Sequence, residues 1–183
     1  MKDQDDIESP FIDILLYGAK DCGRSSFYSR YKNSKFDNTI PTSDQYSFYI
    51  KNIVIDNLDY KIRLWDPCIK ACYTMIPNEF YDLKNTGILI LVDLTTYTIY
   101  EDTARLHQFL YLHEKGDHCL CFVGTKNDLV GLRKISSEDM LMIAERYGIG
   151  YMECSSLTGF GVDECIMFTA RHIIDKYIHI RIL

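Results

Sequence analysis

No apolar run in this sequence is long enough to cross a bilayer: the longest purely aliphatic stretch is Ile88 to Val92, against the ~20 residues a spanning helix needs. Basic residues are also scarce. Lys plus Arg number 20 against 26 Asp plus Glu, a net charge of −6 at pH 7, which leaves no cationic footprint for duplex nucleic acid or anionic lipid. The first ten residues have neither the basic start and apolar stretch of a secretory leader nor a glycine at position 2 for myristoylation. No cysteine follows Cys165 to accept a prenyl group. These absences point to a cytoplasmic protein with no nucleic-acid partner. It would meet an internal membrane peripherally, and only through a lipidated tail or a partner outside this chain. Paired CxxC knuckles are missing too: Cys22, Cys68, Cys72, Cys119, Cys121, Cys154 and Cys165 are an odd number in apolar contexts, the pattern of reduced core thiols. The Cys119-Leu-Cys121 pair beside His118 has metal-ligand chemistry but falls in a strand-like run, which favours core over zinc.

What is present suits one domain: 183 residues, 47% apolar and 25% charged, with no repeat, low-complexity tract or linker. Phe11 to Tyr17 reads as a buried strand, interrupted by Gly18 and Gly23 before an amphipathic stretch from Arg24 to Lys32. Tyr46 to Ile55 and Tyr60 to Trp65 read as an antiparallel pair joined by Asp56-Asn57-Leu58-Asp59. Gly87 to Asp93, Cys119 to Gly124 and Gly150 to Cys154 are short apolar strands. The helical patterns between and after them are Ile76 to Lys84, Tyr100 to Glu114, Ser136 to Tyr147 and Val162 to Tyr177. The alternation predicts an α/β fold, a mostly parallel sheet with one antiparallel edge strand and helices on both faces. The divisions are an acidic extension over 1–10, the domain over 11–179 and a short end over 180–183.

Three segments carry chemistry. Gly18-Ala19-Lys20-Asp21-Cys22-Gly23-Arg24-Ser25 lies between the first strand and first helix, where backbone N–H groups and a helix N-terminus converge on an anion and the hydroxyl after the basic residue holds Mg²⁺. The basic position is Arg24, a planar fork rather than a compact ammonium; a plain glycine turn into a helix is the other reading. Thr125-Lys126-Asn127-Asp128 follows the fifth strand, where Asp128 can accept hydrogen bonds from the exocyclic amine and ring N–H of guanine and the Lys126 stem can lie across the purine. Glu153-Cys154-Ser155-Ser156 follows the sixth. All three stand in order at carboxyl ends of strands, where an open α/β sheet binds its ligand.

With these motifs the sequence resembles small GTPases of the Ras superfamily, the Rab and Ras branches most, over about Phe11 to Tyr177. The resemblance implies the phosphate-loop small G domain, with a six-stranded sheet, and GTP or GDP with Mg²⁺ as ligands. The guanine motif NKxD matches Thr125 to Asp128 with Thr in place of Asn, SAK matches Ser155-Ser156-Leu157, and the aromatic beside the base corresponds to Phe36. Asp93-Leu94-Thr95 resembles the stretch after the fourth strand. Implied nucleotide contacts are Gly18, Lys20, Asp21, Cys22, Gly23, Arg24, Ser25, Ser26, Phe36, Thr125, Lys126, Asp128, Ser155, Ser156 and Leu157. Implied Mg²⁺ ligands are Ser25, Asp66 through water, and a switch I threonine, Thr42 or Thr39, with Thr42 preferred. Effectors and regulators would bind the two switches and the hairpin between them, where Tyr46, Phe48, Tyr49, Trp65, Tyr73 and Phe80 supply aromatics, about half of them core on alternate strand positions.

The switches depart from the pattern. In switch II only Trp65 and Asp66 survive: Ile69 stands where the family glycine turns its N–H onto the γ-phosphate, and its β-branch closes positive φ. Lys70 replaces the glutamine that orients attacking water and has no acceptor. Slow hydrolysis is expected, with no confident catalytic residue. Lys20 either crowds an arginine finger or supplies phosphate charge that Arg24 places badly. Two further readings stay open, a nucleotide-free relative serving as an interaction scaffold and a phosphate-loop kinase for small substrates.

Overall fold

Strand pleat sorts the apolar residues onto two faces of one sheet. The computed structural model describes residues 10–37, 47–66, 86–101 and 118–178. Six strands, β1 (Phe11–Gly18), β2 (Ser47–Ile55), β3 (Leu58–Asp66), β4 (Thr86–Asp93), β5 (Cys119–Thr125) and β6 (Gly150–Glu153), lie in the order β2-β3-β1-β4-β5-β6. Every pair is parallel except β2 with β3. Among the described residues the α-helices are α1 (Arg24–Asn33), a single turn α2 (Thr98–Glu101), α3 (Ser137–Tyr147) and α4 (Val162–Ile173).

Alternation along the central strands builds two cores. Ile12, Ile14 and Leu16 of β1, Leu89 and Leu91 of β4 and Cys121 and Val123 of β5 pack with Phe27 and Tyr31 of α1 and Cys165, Ile166, Ala170 and Ile173 of α4. Leu15, Ile88, Ile90, Val92 and Phe122 point the other way, against Ile99, Met140 and Ala144. All residues of β4 are buried, as the middle strand of a sheet covered on both faces must be. The chain runs from β1 outward to β3 on one side, while β4 lies on the other, so the carboxyl ends of β1 and β4 flank the point where strand order reverses.

Local chemistry sets the boundaries. Ser136 caps α3, its hydroxyl accepting from Asp139 N–H at 3.0 Å while the Asp139 carboxylate reaches back, and Gly148 ends it at φ 64°. Three expectations need correction. The β2–β3 connection is a two-residue turn, with Ile55 opposite Leu58 and Asp56 and Asn57 both at positive φ (51° and 64°), so Leu58 and Asp59 belong to the strand; this turn matches the right-handed strand twist. The helix expected at Tyr100 begins at Thr98, and its continuation past 101, like that over Ile76 to Lys84, lies outside the described residues. The last helix changes at Ile174 to a wider π-type segment over Ile174–Ile178. No helix among the described residues is long and apolar enough to cross a membrane.

Candidate nucleotide site

β1 delivers the chain to the phosphate-loop segment at a position that admits no side chain. A Cβ on Gly18 would lie 2.6 Å from the Cys22 sulfur and 2.7 Å from the Leu91 carbonyl oxygen. The turn closes with Cys22 N–H donating to the Ala19 carbonyl, Asp21 takes φ 62°, and Gly23, at φ 91°, leads into α1, where Phe27 N–H donates to its carbonyl at 2.9 Å. Lys20 and Asp21 are exposed, Ser25 and Ser26 half-buried, and Cys22 and Arg24 buried. A glycine-lined bend opening onto the N-terminus of a ten-residue helix presents its N–H groups to an anion.

Arg24 does not extend freely over that bend. Its Nε donates to Asp66 Oδ1 at 2.9 Å across the β1–β3 neighbourhood, with 7% and 12% of the two side chains exposed. Burial pushes the Asp66 carboxyl above its ordinary range, and the charge and hydrogen bond of Arg24, with the nearby Ser25 hydroxyl, oppose that rise without cancelling it. Ser25 and, through water, Asp66 are the expected Mg²⁺ donors within the described residues, and the guanidinium already holds Asp66 Oδ1. Mg²⁺ demands near-octahedral oxygen ligands at about 2.1 Å. A carboxylate oxygen already bonded to a buried cation does not fit that shell.

The base loop after β5 is stitched to the phosphate loop. The buried Thr125 hydroxyl lies 2.7 Å from the Cys22 carbonyl and 3.2 Å from that of Val92, and its single proton serves one at a time. Lys126, a non-glycine at φ 59°, arches back so that Nζ donates to the Asp21 carbonyl (2.9 Å) and to Asp93 Oδ2 (2.6 Å). Burial raises the Asp93 carboxyl, but hydrogen bonds from Lys126 and Thr95 outweigh it and leave the group below its ordinary range. Asp128 is half-buried, and among the described residues no hydrogen-bond partner holds its carboxylate, so its oxygens remain acceptors for a ligand. The Lys126 strain, held by two hydrogen bonds, is the type that concentrates at binding sites.

The Ser155-Ser156-Leu157 segment closes the base side. Ser155 is fully buried, its N–H donating to the Phe160 carbonyl and its hydroxyl accepting from Thr158 N–H at 3.1 Å. Arg30 of α1 clamps this loop: Nε donates to the Ser156 carbonyl (2.6 Å), Nη2 to that of Leu157, and Nη1 to that of Ser34 (3.0 Å). Nothing in the sequence singled Arg30 out, since its partners lie more than a hundred residues away. Arg30→Ala should raise amide exchange at Thr158 and Gly159 by about tenfold, the loss of roughly one charge-assisted hydrogen bond, measurable by hydrogen–deuterium exchange. Phe36 follows α1 by three residues and is half-buried.

The structure thus brings Gly18 to Ser26, Asp66, Thr125 to Asp128 and Ser155 to Leu157 to one end of the sheet. Thr42, Thr39, Ile69 and Lys70, with Tyr46, Tyr73 and Phe80, lie outside the described residues. Of the remaining hairpin aromatics, Phe48 is exposed while Tyr49 packs edge-on to Tyr31. Trp65 stacks at 4.8 Å on Phe48 and donates Nε1–H to Asp13 at 2.7 Å. Among the described residues no group of His, Cys, Asp and Glu could hold a metal, and Cys22, Cys119, Cys121, Cys154 and Cys165 are free thiols.

A crossover sheet with a glycine bend after β1 and, after β5, a carboxylate with no hydrogen-bond partner among the described residues defines a nucleotide-binding domain of the phosphate-loop type. A family model described as Ras family matches residues 13–175, and the chain belongs to the Ras family of small GTPases. It is 28% identical over 159 residues to the Ras-related protein RABA1f of Arabidopsis thaliana, covering 87% of this chain and 73% of that protein. It is 26% identical over 161 residues to the GTP-binding protein ypt3 of Schizosaccharomyces pombe (88% and 75%), and 25% identical over 163 residues to the Ras-related protein Rab-25 of Mus musculus (89% and 76%). Ras-family GTPases bind guanine nucleotides with Mg²⁺ and interact with effectors and regulators.

Proposed function

We propose that this chain is a Rab-like switch of membrane trafficking that binds GTP and GDP and hydrolyses GTP slowly. The observation that carries the reading is the pair of ties from the base loop to the phosphate loop, Thr125 to the Cys22 carbonyl and Lys126 to the Asp21 carbonyl. They tie the loop that carries Asp128 to the anion-binding bend, which suits a ligand whose base is joined to phosphates. In this reading N–H groups between Lys20 and Ser26, that of Cys22 excepted, face the phosphates, Asp128 reads guanine, Ser155 to Leu157 and Phe36 flank the base, and Lys126 spans the two loops. Hydrolysis is slow because Lys70 has no acceptor with which to orient water and Ile69 cannot turn its N–H as a glycine does. Partners meet the outer face of β2, where Phe48, Ile50 and Val54 are exposed on alternate positions.

The Arg24–Asp66 pair favours a second reading, an interaction scaffold whose phosphate site is internally neutralised. Denaturing freshly purified protein and resolving the supernatant by ion-exchange chromatography separates the two. Near-stoichiometric guanine nucleotide, with GTP a substantial fraction, is the expected result. An empty protein that also fails to load GDP or GTP would leave the scaffold.

A further inference from the structure

A buried guanidinium stands where this fold is expected to keep a divalent cation, and its chemistry overlaps with the cation's. Arg24 is the first residue of α1 and Asp66 the last of β3. Their 2.9 Å hydrogen bond brings the positive charge onto the carboxylate expected to hold Mg²⁺ through water. Seating a Mg²⁺-bound water on Asp66 Oδ1 would require that oxygen to release Arg24. That would leave a buried guanidinium beside a dication, and removing one partner of a buried ion pair is costly because the other stays desolvated. Arginine is protonated at all accessible pH values, presents five donors, and can grip phosphate through two parallel N–H bonds. It can therefore take over the cation's positional task, holding a phosphate oxygen in place, without the octahedral water shell that Mg²⁺ surrenders reluctantly.

We propose that Arg24, held by Asp66, replaces the divalent cation, so that this protein binds guanine nucleotide without Mg²⁺. The inference rests on the nucleotide-binding reading above. It also gives a reason for Arg at the basic position: lysine offers one compact ammonium and could not span carboxylate and phosphate with a rigid fork.

The test is the release rate of mant-GDP from the full chain with Mg²⁺ and with excess EDTA. The two rates should agree within about twofold, whereas for Arg24→Lys, which frees Asp66 for a metal, EDTA should speed release by about tenfold or more. A wild-type protein that loses nucleotide about tenfold faster in EDTA, or an Arg24→Lys protein as indifferent to EDTA as wild type, overturns the inference and leaves nucleotide binding standing. No mant-GDP binding in either buffer overturns both. Should Arg24→Lys not fold, Mn²⁺ supplies the second measurement. With the GDP-loaded wild type the six-line electron paramagnetic resonance signal of added Mn²⁺ should match that of a GDP-only control, and stoichiometric loss of signal relative to that control would overturn the inference.

Discussion

Asp128→Ala should weaken GDP binding by on the order of a hundred- to a thousandfold while leaving the unfolding midpoint unchanged. Guanine offers its exocyclic amine and ring N–H to one carboxylate, and hydrogen bonds to a charged acceptor contribute roughly 1.5–3 kcal/mol each. Two of them correspond to at least a hundredfold at about 1.4 kcal/mol per decade. The fold is insulated from the change because the carboxylate has no hydrogen-bond partner among the described residues, and Leu129 N–H closes the loop through the Lys126 carbonyl instead. Asp128→Asn sharpens the test. Its carboxamide offers one donor and one acceptor, which suits the C2 carbonyl of xanthine better than the C2 amine of guanine. Competition between GDP and xanthosine diphosphate should therefore shift towards the latter. Equal GDP affinity in wild type and Asp128→Ala would mean that the loop after β5 reads no base.

How far the sequence carries this site depends on the range of each interaction. β4 is legible because a strand buried on both faces is a continuous apolar run, and the ends of α3 because Ser136 and Gly148 act within their own turns. The three loops are legible as a set because a βα alternation places each at a carboxyl strand end. The contacts that assemble them are not. Arg24 meets Asp66 only because β3 lies beside β1, a pairing of residues 42 apart, and Arg30 meets Ser156 across 126. The substitution of Thr for Asn at position 125 reads as damage in one dimension. In three it is a buried hydroxyl joining two loops. The π-type segment after Ile173 has no local signature, since the apolar spacing of its residues also suits an ordinary helix.

The far end of the base loop is anchored by Arg133, and Arg133→Ala should cost about 2–3 kcal/mol at pH 7, below the ~3–5 kcal/mol of a fully buried broken pair because both partners retain some water. Arg133 is 24% and Glu153 17% exposed; its Nη1 and Nη2 reach the two carboxylate oxygens at 2.9 and 2.5 Å. The Tyr151 and Ser137 hydroxyls donate to the same carboxylate at 2.6 and 2.8 Å. Burial alone would raise the Glu153 pKa, but the hydrogen bonds from Arg133, Tyr151 and Ser137 hold it at about 2. The unfolded chain protonates a glutamate near about 4.3, so the folded state gains from this group above that value. The gain disappears as pH falls from about 4.3 towards 2. Without Arg133 the buried carboxyl loses its largest stabilising partner and protonates more readily in the folded state. The difference in stability between wild type and Arg133→Ala, read from urea midpoints, should therefore shrink as pH is lowered from 7 to about 3. A Glu153→Gln background should abolish that pH dependence. A difference that holds constant across the range would assign the loss to the packing of the Arg133 stem and its bond to the Ile135 carbonyl at 2.7 Å, with the ion pair contributing nothing.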